Sequence, residues 1–426
     1  MEKCSKDKFI IEKSGPLKGK VRIGGAKNAV LPLLAGALLT EETCIIRDVP
    51  NLSDVQVMGE LLVSLGVSMD WNKEEETIKL SVGNLQCGEA EYDLVGKLRA
   101  SFLIMGPLLA RLGEVRVPLP GGCAIGTRPV DLHLKGMAAL GAKIEQAHGY
   151  MTVSAKKLCG AKIYLDFPSV GATENIIMAA VLAEGQTIIE NCAIEPEIVD
   201  LANFLNAAGA DIRGAGTDTV KVNGVQRLSC TDYTVIPDRI EAGTYMVAAA
   251  ITRGDIYLEN IVTDHVKPVT AKLKEVNMKV EETAQGIRVF YDGNPLVASD
   301  LKTLPYPGFP TDMQAPFMSL LTTAEGTSII TESIFENRFM QVGELKRMGA
   351  DIKIESRSAV VEGVRTLMGA QVRATDLRAG AALVLAAMQA EGTTEISDIF
   401  HIDRGYQGLD AQLNRMGAKI RRESEK

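Results

Sequence analysis

Leu140-Gly141-Ala142-Lys143-Ile144, Ala208-Gly209-Ala210-Asp211-Ile212, Met348-Gly349-Ala350-Asp351-Ile352 and Met416-Gly417-Ala418-Lys419-Ile420 are four versions of one short phrase. Two looser versions, Leu65-Gly66-Val67-Ser68-Met69 and Val276-Asn277-Met278-Lys279-Val280, complete a set of six. They recur about every 70 residues. Each reads as the end of a helix, a residue that tolerates positive φ (Gly five times, Asn once), and the start of a strand. A second phrase keeps step with the first: an apolar run, a charged residue with Gly, then a β-rich segment. It reads Glu184-Gly185-Gln186-Thr187-Ile188-Ile189, Arg253-Gly254-Asp255-Ile256-Tyr257-Leu258, Glu325-Gly326-Thr327-Ser328-Ile329-Ile330 and Glu391-Gly392-Thr393-Thr394-Glu395-Ile396. Arg111-Leu112-Gly113-Glu114-Val115 is a fifth copy, and Glu41-Glu42-Thr43-Cys44-Ile45 holds the place in the first unit without the Gly. The predicted unit is strand, helix, strand, helix, strand, strand, and the class is α/β. A purely structural array would repeat in the same way, so the placement of polar residues has to separate the two readings.

Those polar residues gather at the starts of the apolar helices: Lys27 and Asn28; Lys97 and Arg99; Ser169, Gly171 and Thr173; Asp238, Arg239 and Glu241; Thr311 and Asp312; Asp376 and Arg378. Beyond each start the run is almost wholly apolar, which marks a buried helix. Ordinary N-capping accounts equally well for Ser169 or Asp376 taken singly. Lys27, Arg99 and Arg378 fit capping poorly, because a cation is disfavoured at a helix N-terminus; a bound anion would remove the conflict. Three further arginines, Arg128, Arg338 and Arg404, fall in equivalent loops, and a guanidinium is suited to bidentate grip on carboxylate or phosphate. The loop of the second unit, Pro118-Leu119-Pro120-Gly121-Gly122-Cys123-Ala124-Ile125-Gly126-Thr127-Arg128-Pro129, is longer than its counterparts. Its glycines allow movement, and a thiol beside cations is activated. The other six cysteines read as inert.

Composition limits the field. A chain of 426 residues, 46% apolar and 23% charged, holds two or three domains with a sizeable core. A formal charge of −8 argues against general nucleic-acid binding while allowing a local basic site for a small anion. Seven scattered cysteines without a CxxC pair, and an N-terminus without an apolar signal core, lead us to expect a reducing, cytoplasmic setting. No run is long and apolar enough to span a bilayer, and no metal-ligand pattern is present.

Six segments resemble the UDP-N-acetylglucosamine enolpyruvyl transferases (1-carboxyvinyltransferases), relatives of EPSP synthase. They are Gly25-Ala26-Lys27-Asn28-Ala29, Pro120-Gly121-Gly122-Cys123-Ala124-Ile125-Gly126, Arg128-Pro129-Val130-Asp131-Leu132-His133, Phe309-Pro310-Thr311-Asp312-Met313-Gln314, Glu336-Asn337-Arg338 and His401-Ile402-Asp403-Arg404-Gly405-Tyr406. The resemblance spans essentially the whole chain. It implies a two-domain inside-out α/β barrel of six units of about 70 residues, three per domain. The implied domains are residues 27–236, carrying the Cys123 loop, and residues 1–26 with 237–426, with the active site between them.

The implied reaction moves the enolpyruvyl group of phosphoenolpyruvate to the 3-hydroxyl of UDP-N-acetylglucosamine with release of phosphate, the first committed step of peptidoglycan precursor synthesis. By the same resemblance Asp312 is the base and Cys123 the general acid, able to form a phosphoenolpyruvate adduct and the site of alkylation by fosfomycin. Lys27, Arg128 and Arg404 hold the phosphate and carboxylate, Arg99, Arg338 and Arg378 add to the anion site, and Asn28 and Asp376 position the reacting groups. Arg128, Pro129, Val130, Asp131, Leu132, Ser169, Val170, Gly171, Asp312 and Ile334 contact the UDP-sugar. No cofactor or metal, nucleic acid or membrane partner is implied. Ser53 stands where some members have Lys, and Phe167-Pro168 where some have Lys-Val, which bears on detailed contacts. Two rivals remain to be separated: the sister enzyme acting on shikimate 3-phosphate, which lacks the cysteine loop and the Arg128–His133 run, and a silent repeat protein that binds nucleotide-sugars.

Overall fold

The computed structural model describes residues 7–83, 85, 88–90, 92–118, 130–229 and 231–424. They divide into two compact units, one of residues 25–118 and 130–236, the other of residues 7–24 and 237–424.

Within the first unit the sheets share one strand pattern. Lys162–Tyr164 pairs in parallel with Gln186–Glu190, which pairs antiparallel with Thr219–Asn223, which pairs antiparallel with Asp211–Arg213. Asp232–Thr234, Thr43–Arg47, Thr77–Ser81 and Ser68–Asn72 repeat that order. Glu114–Pro118, Tyr150–Ser154 and Lys143–Ala147 form the third sheet, and Glu89 bridges Arg116 in parallel at its free edge. Residues alternate along these strands: in Gln186–Glu190, Thr187 and Ile189 are buried while their neighbours are more exposed. Such alternation belongs to a sheet with one covered face. The covering elements are the apolar helices Lys27–Gly36 and Val170–Ala180, in which almost every residue is buried, and Met105–Leu112, which is buried from Met105 to Leu109.

The other unit repeats the design with helices Arg239–Ile251, Gln314–Leu321 and Leu377–Ala387, which pack on one another. Its sheets are Lys18–Arg22 with Asp255–Glu259, Gly286–Phe290 and Lys279–Thr283; Leu301–Lys302 with Thr327–Thr331, Ser358–Glu362 and Asp351–Glu355; and Gln371–Arg373 with Thr393–Ser397, Asp7–Glu12 and Lys419–Ser424. In the last sheet Asp7–Glu12 runs antiparallel to both neighbours. It fills the place that Thr219–Asn223 holds in its own sheet, so the unit that ends the chain takes its last strand from the N-terminus.

All six copies of the first phrase have positive φ at the expected residue: Gly66 99°, Gly141 98°, Gly209 106°, Asn277 70°, Gly349 91° and Gly417 106°. The second phrase differs once. At Arg253-Gly254 it is Arg253, not Gly254, that takes positive φ, whereas Gly185, Gly326 and Gly392 take it themselves. Only a short turn at Thr252 and Arg253 separates the helix Arg239–Ile251 from the strand at Asp255, and the left-handed residue falls within it. Two expected helix starts also depart from a plain α-helix. Arg99 begins the 3-10 segment Arg99–Ile104, after a separate helix that ends at Lys97, and Thr311 begins the 3-10 turn Thr311–Met313. Pro107 and Pro316 are the third residues of the α-helices that follow. Neither has an amide to bond back to residue 103 or 312, so the first turn tightens.

A polar knot sits in the core of the first unit. Gly106 N donates to Asn175 Oδ1 at 2.6 Å, which leaves Asn175 Nδ2 to donate to Phe102 O at 3.0 Å and to His133 Nδ1 at 3.1 Å. His133 Nδ1 is therefore the acceptor and Nε2 carries the proton. Burial, with Arg99 nearby, pushes the His133 imidazole down to about 4 from 6.5.

Two outcomes follow. A Cβ on Gly224 would stand 1.6 Å from the carbonyl oxygen of Ala183, and one on Gly363, its equivalent, 1.7 Å from that of Ala324. Gly224→Ala and Gly363→Ala each lower the unfolding free energy by about 1–3 kcal/mol in urea titrations; unchanged midpoints would contradict these close approaches. His133 stays neutral when folded, whereas the unfolded chain takes up its proton as pH falls from 6.5 toward 4. Stability is thus lost on acidification through that window, and His133→Gln flattens the loss; identical pH profiles for the two proteins would refute it.

Candidate active site

In the unit that ends the chain, the site is built around one carboxylate. Asp312 lies in the tight turn ahead of Gln314–Leu321. One of its oxygens accepts from Arg338 Nη2, the other from Arg378 Nη2 at 3.2 Å. The arginines are 6% and 3% exposed. Burial works against the charged form of the Arg378 guanidinium, but Tyr406, Asp312 and Asp238 outweigh it and raise its pKa. The guanidinium also lies over the Tyr406 ring, 5.2 Å from its centroid, and the Tyr406 hydroxyl is 2.9 Å from Thr244 Oγ1. Asp376 caps the helix Leu377–Ala387, accepting from the amides of Arg378 at 2.8 Å and Ala379 at 3.0 Å. Arg338 is anchored at its other end, Nη1 donating to Thr311 Oγ1 at 3.0 Å. Ile334 is half-buried and its amide donates to Glu332 Oε1 at 2.8 Å. Arg404 closes the 3-10 segment Ile399–Arg404, which packs on the helix Leu377–Ala387, and adds to burial in lowering the pKa of His401.

In the other unit, Lys27 begins the helix Lys27–Gly36 and its Nζ lies 2.6 Å from Asp54 Oδ2, both side chains being buried. Asn28 beside it is exposed. Two other expected segments meet at His133. Val130 precedes the helix Asp131–Ala139, with Asp131 exposed and Val130 and Leu132 half-buried. Ser169 caps the helix Val170–Ala180 through Ala172 N at 3.4 Å, and a Cβ on Gly171 would lie 3.3 Å from His133 Cε1. Arg99 belongs to the same neighbourhood through its charge on His133. Cys123, Arg128 and Pro129 lie outside the described residues. Ser53 begins the helix Ser53–Ser64 on its exposed side, and Phe167 is exposed.

At Lys27 and Arg378 the helix-start conflict is met by carboxylates of the protein itself. Asp54 and Asp312 already meet those cations, because a buried cation left without a counter-charge is costly. Ser169, Asp238 and Asp376 do act as N-caps. Asp54 and Glu332 carry no signal in the sequence. Asp54 is far from Lys27 in sequence, and Glu332 joins the nearby Ile334 and Phe335 amides to the distant hydroxyls of Thr303 and Thr311. Tyr406 and His133 lie inside the quoted motifs, but their burial was not readable there. Among the described residues no group of three or more His, Cys, Asp or Glu is placed to hold a metal, and no helix is long and apolar enough to cross a membrane.

Residues 11–413 match the model of the family EPSP synthase (3-phosphoshikimate 1-carboxyvinyltransferase). A UDP-N-acetylglucosamine 1-carboxyvinyltransferase 1 of Caldanaerobacter subterraneus subsp. tengcongensis is 59% identical over 417 residues, 98% of this chain and 100% of its own length. A UDP-N-acetylglucosamine 1-carboxyvinyltransferase 2 of Carboxydothermus hydrogenoformans is 57% identical over 420 residues, with 98% and 100% covered. Among solved structures, the enolpyruvyl transferase NikO from Streptomyces tendae superposes with a TM-score of 0.88 at 25% identity, covering 99% of this chain and 100% of that one. EPSP synthase from Acinetobacter baumannii shares the fold, with a TM-score of 0.77 at 19% identity over 98% and 100%. The chain belongs to the EPSP synthase family, on its UDP-N-acetylglucosamine 1-carboxyvinyltransferase branch.

Proposed function

We propose that this enzyme transfers the enolpyruvyl group of phosphoenolpyruvate to the 3-hydroxyl of UDP-N-acetylglucosamine and releases phosphate, opening peptidoglycan precursor synthesis in the cytoplasm. The observation that carries this reading is 59% identity over 98% of the chain to a relative bearing that enzyme name. In this reading the six sheets and their helices form two inside-out α/β barrels, three units in each, with domains of residues 27–236 and of 1–26 with 237–426.

The chemistry is addition followed by elimination. The sugar 3-hydroxyl oxygen bonds to C2 of phosphoenolpyruvate as C3 takes a proton. The tetrahedral adduct then loses phosphate from C2 and the added proton from C3, which restores the vinyl group on the new ether. Asp312 takes the hydroxyl proton; its orientation by two guanidiniums presents one fixed acceptor geometry. Cys123 delivers the proton. Lys27, Arg128 and Arg404 hold the phosphate and carboxylate, assisted by Arg99, Arg338 and Arg378, and such fixed cations favour the charge that develops at the transition state. Asn28 and Asp376 position the reacting groups, and Arg128, Pro129, Val130, Asp131, Leu132, Ser169, Val170, Gly171, Asp312 and Ile334 contact the UDP-sugar. Lys27 passes from Asp54 to the substrate anion, or shares both.

Phosphate release measured with each acceptor tests the reading. We expect turnover with UDP-N-acetylglucosamine and none with shikimate 3-phosphate; the reverse would assign the sister reaction, and tight UDP-sugar binding without turnover would assign a silent binder. In the same assay, preincubation with fosfomycin inactivates the wild type progressively. Cys123→Asp keeps turnover and escapes, since a carboxyl delivers a proton without being the same nucleophile; continued inactivation of the variant would remove Cys123 as the target.

A further inference from the structure

Glu332 is 1% exposed, and its carboxylate collects four donors from three stretches of chain. Oε1 accepts from Thr303 Oγ1 at 2.8 Å, from the Ile334 amide at 2.8 Å and from the Phe335 amide at 3.1 Å. Oε2 accepts from Thr311 Oγ1 at 2.8 Å. Thr303 closes the knot from the other side: its hydroxyl accepts from the Ser333 amide at 2.9 Å, and its carbonyl accepts from the Ser333 hydroxyl.

Thr311 is the point of contact with the chemistry. Having given its proton to Glu332, its oxygen is turned to accept from Arg338 Nη1, and the same guanidinium holds Asp312 through Nη2. One carboxylate thus fixes the loop that carries Ile334 and, through a single hydroxyl, the direction of the guanidinium that orients Asp312. A buried carboxylate is a costly way to pin a loop, because a neutral side chain can cap two amides at lower desolvation cost. Polar groups of that kind are retained where geometry has to be held closely.

We propose that Glu332 is a positioning residue for the transfer reaction, acting through Thr311 on the Arg338–Asp312 pair and through the Ile334 and Phe335 amides on the sugar-contacting loop. This rests on the proposed function, since Asp312 and Ile334 matter only if the transfer takes place there.

The test uses the full chain with phosphoenolpyruvate and UDP-N-acetylglucosamine, and the variants Thr311→Val, Thr311→Ser and Glu332→Gln. Thr311→Val keeps the side-chain shape and removes only the relay. It lowers kcat about 10–100-fold, with the KM for the UDP-sugar moved far less. Thr311→Ser restores kcat to near the wild-type value. Glu332→Gln keeps an acceptor for the loop amides but faces Thr311 with a donor, so it follows Thr311→Val in kcat. In an Arg338→Ala background, Thr311→Val costs nothing further, because its effect runs through the missing guanidinium. Urea midpoints of the two Thr311 variants confirm that both proteins are folded. An active wild type beside a Thr311→Val variant of unchanged kcat, or a Thr311→Val loss that persists in full without Arg338, overturns the positioning role. A wild type that releases no phosphate with the UDP-sugar overturns the functional reading instead, and the proposal with it.

Discussion

Arg338 and Arg378 are nearly sealed from water, and Asp312 is the carboxylate that meets them both. A buried guanidinium without a counter-charge is expensive, so each member of this trio constrains the other two. The constraint extends outward. Arg338 leans on Thr311 and thence Glu332; Arg378 rises from a helix capped by Asp376 and lies over Tyr406. Geometry at the carboxylate is therefore set in part by side chains that touch no substrate in our proposal, Thr311, Glu332 and Tyr406.

The fold supplies the place for such a trio. Six helices are apolar nearly throughout, so polar chemistry is admitted mainly at their ends. Residues at successive helix starts of one unit, Asp238, Asp312 and Arg378, interact electrostatically although far apart in sequence. The other unit shows the same principle: the starts of Asp131–Ala139 and Val170–Ala180 meet at His133, whose ring is kept neutral by burial and aimed by Asn175. Tight turns before Pro107 and Pro316 alter two of the starts, and the second of these turns contains Asp312.

What the sequence discloses is local conformation. The five glycines and Asn277 announce positive φ because few other residues tolerate it, and the strands that follow them are all present. Asp312, Arg338 and Arg378 are legible as polar interruptions of apolar runs. What stays hidden depends on contacts between distant residues. Nothing near Lys27 indicates Asp54, nothing near Thr311 indicates Glu332, and the insertion of Asp7–Glu12 between Thr393–Ser397 and Lys419–Ser424 is a pairing across nearly the whole chain. For the same reason the charge conflict at Lys27 and Arg378 is a weaker sign of a bound anion than it looks in one dimension: Asp54 and Asp312 answer it.

In our proposal Asp312, aimed by two buried arginines, accepts the proton of the attacking hydroxyl. Asp312→Asn preserves its shape and an oxygen acceptor while removing most of its basicity. Single-turnover rates and UDP-sugar affinity measured on this variant separate a base from a sugar ligand. We expect a rate lower by about 10²–10⁴-fold with affinity for the UDP-sugar held within a few-fold. Lost affinity combined with a normal rate at saturating sugar would make Asp312 a ligand of the sugar and not its base.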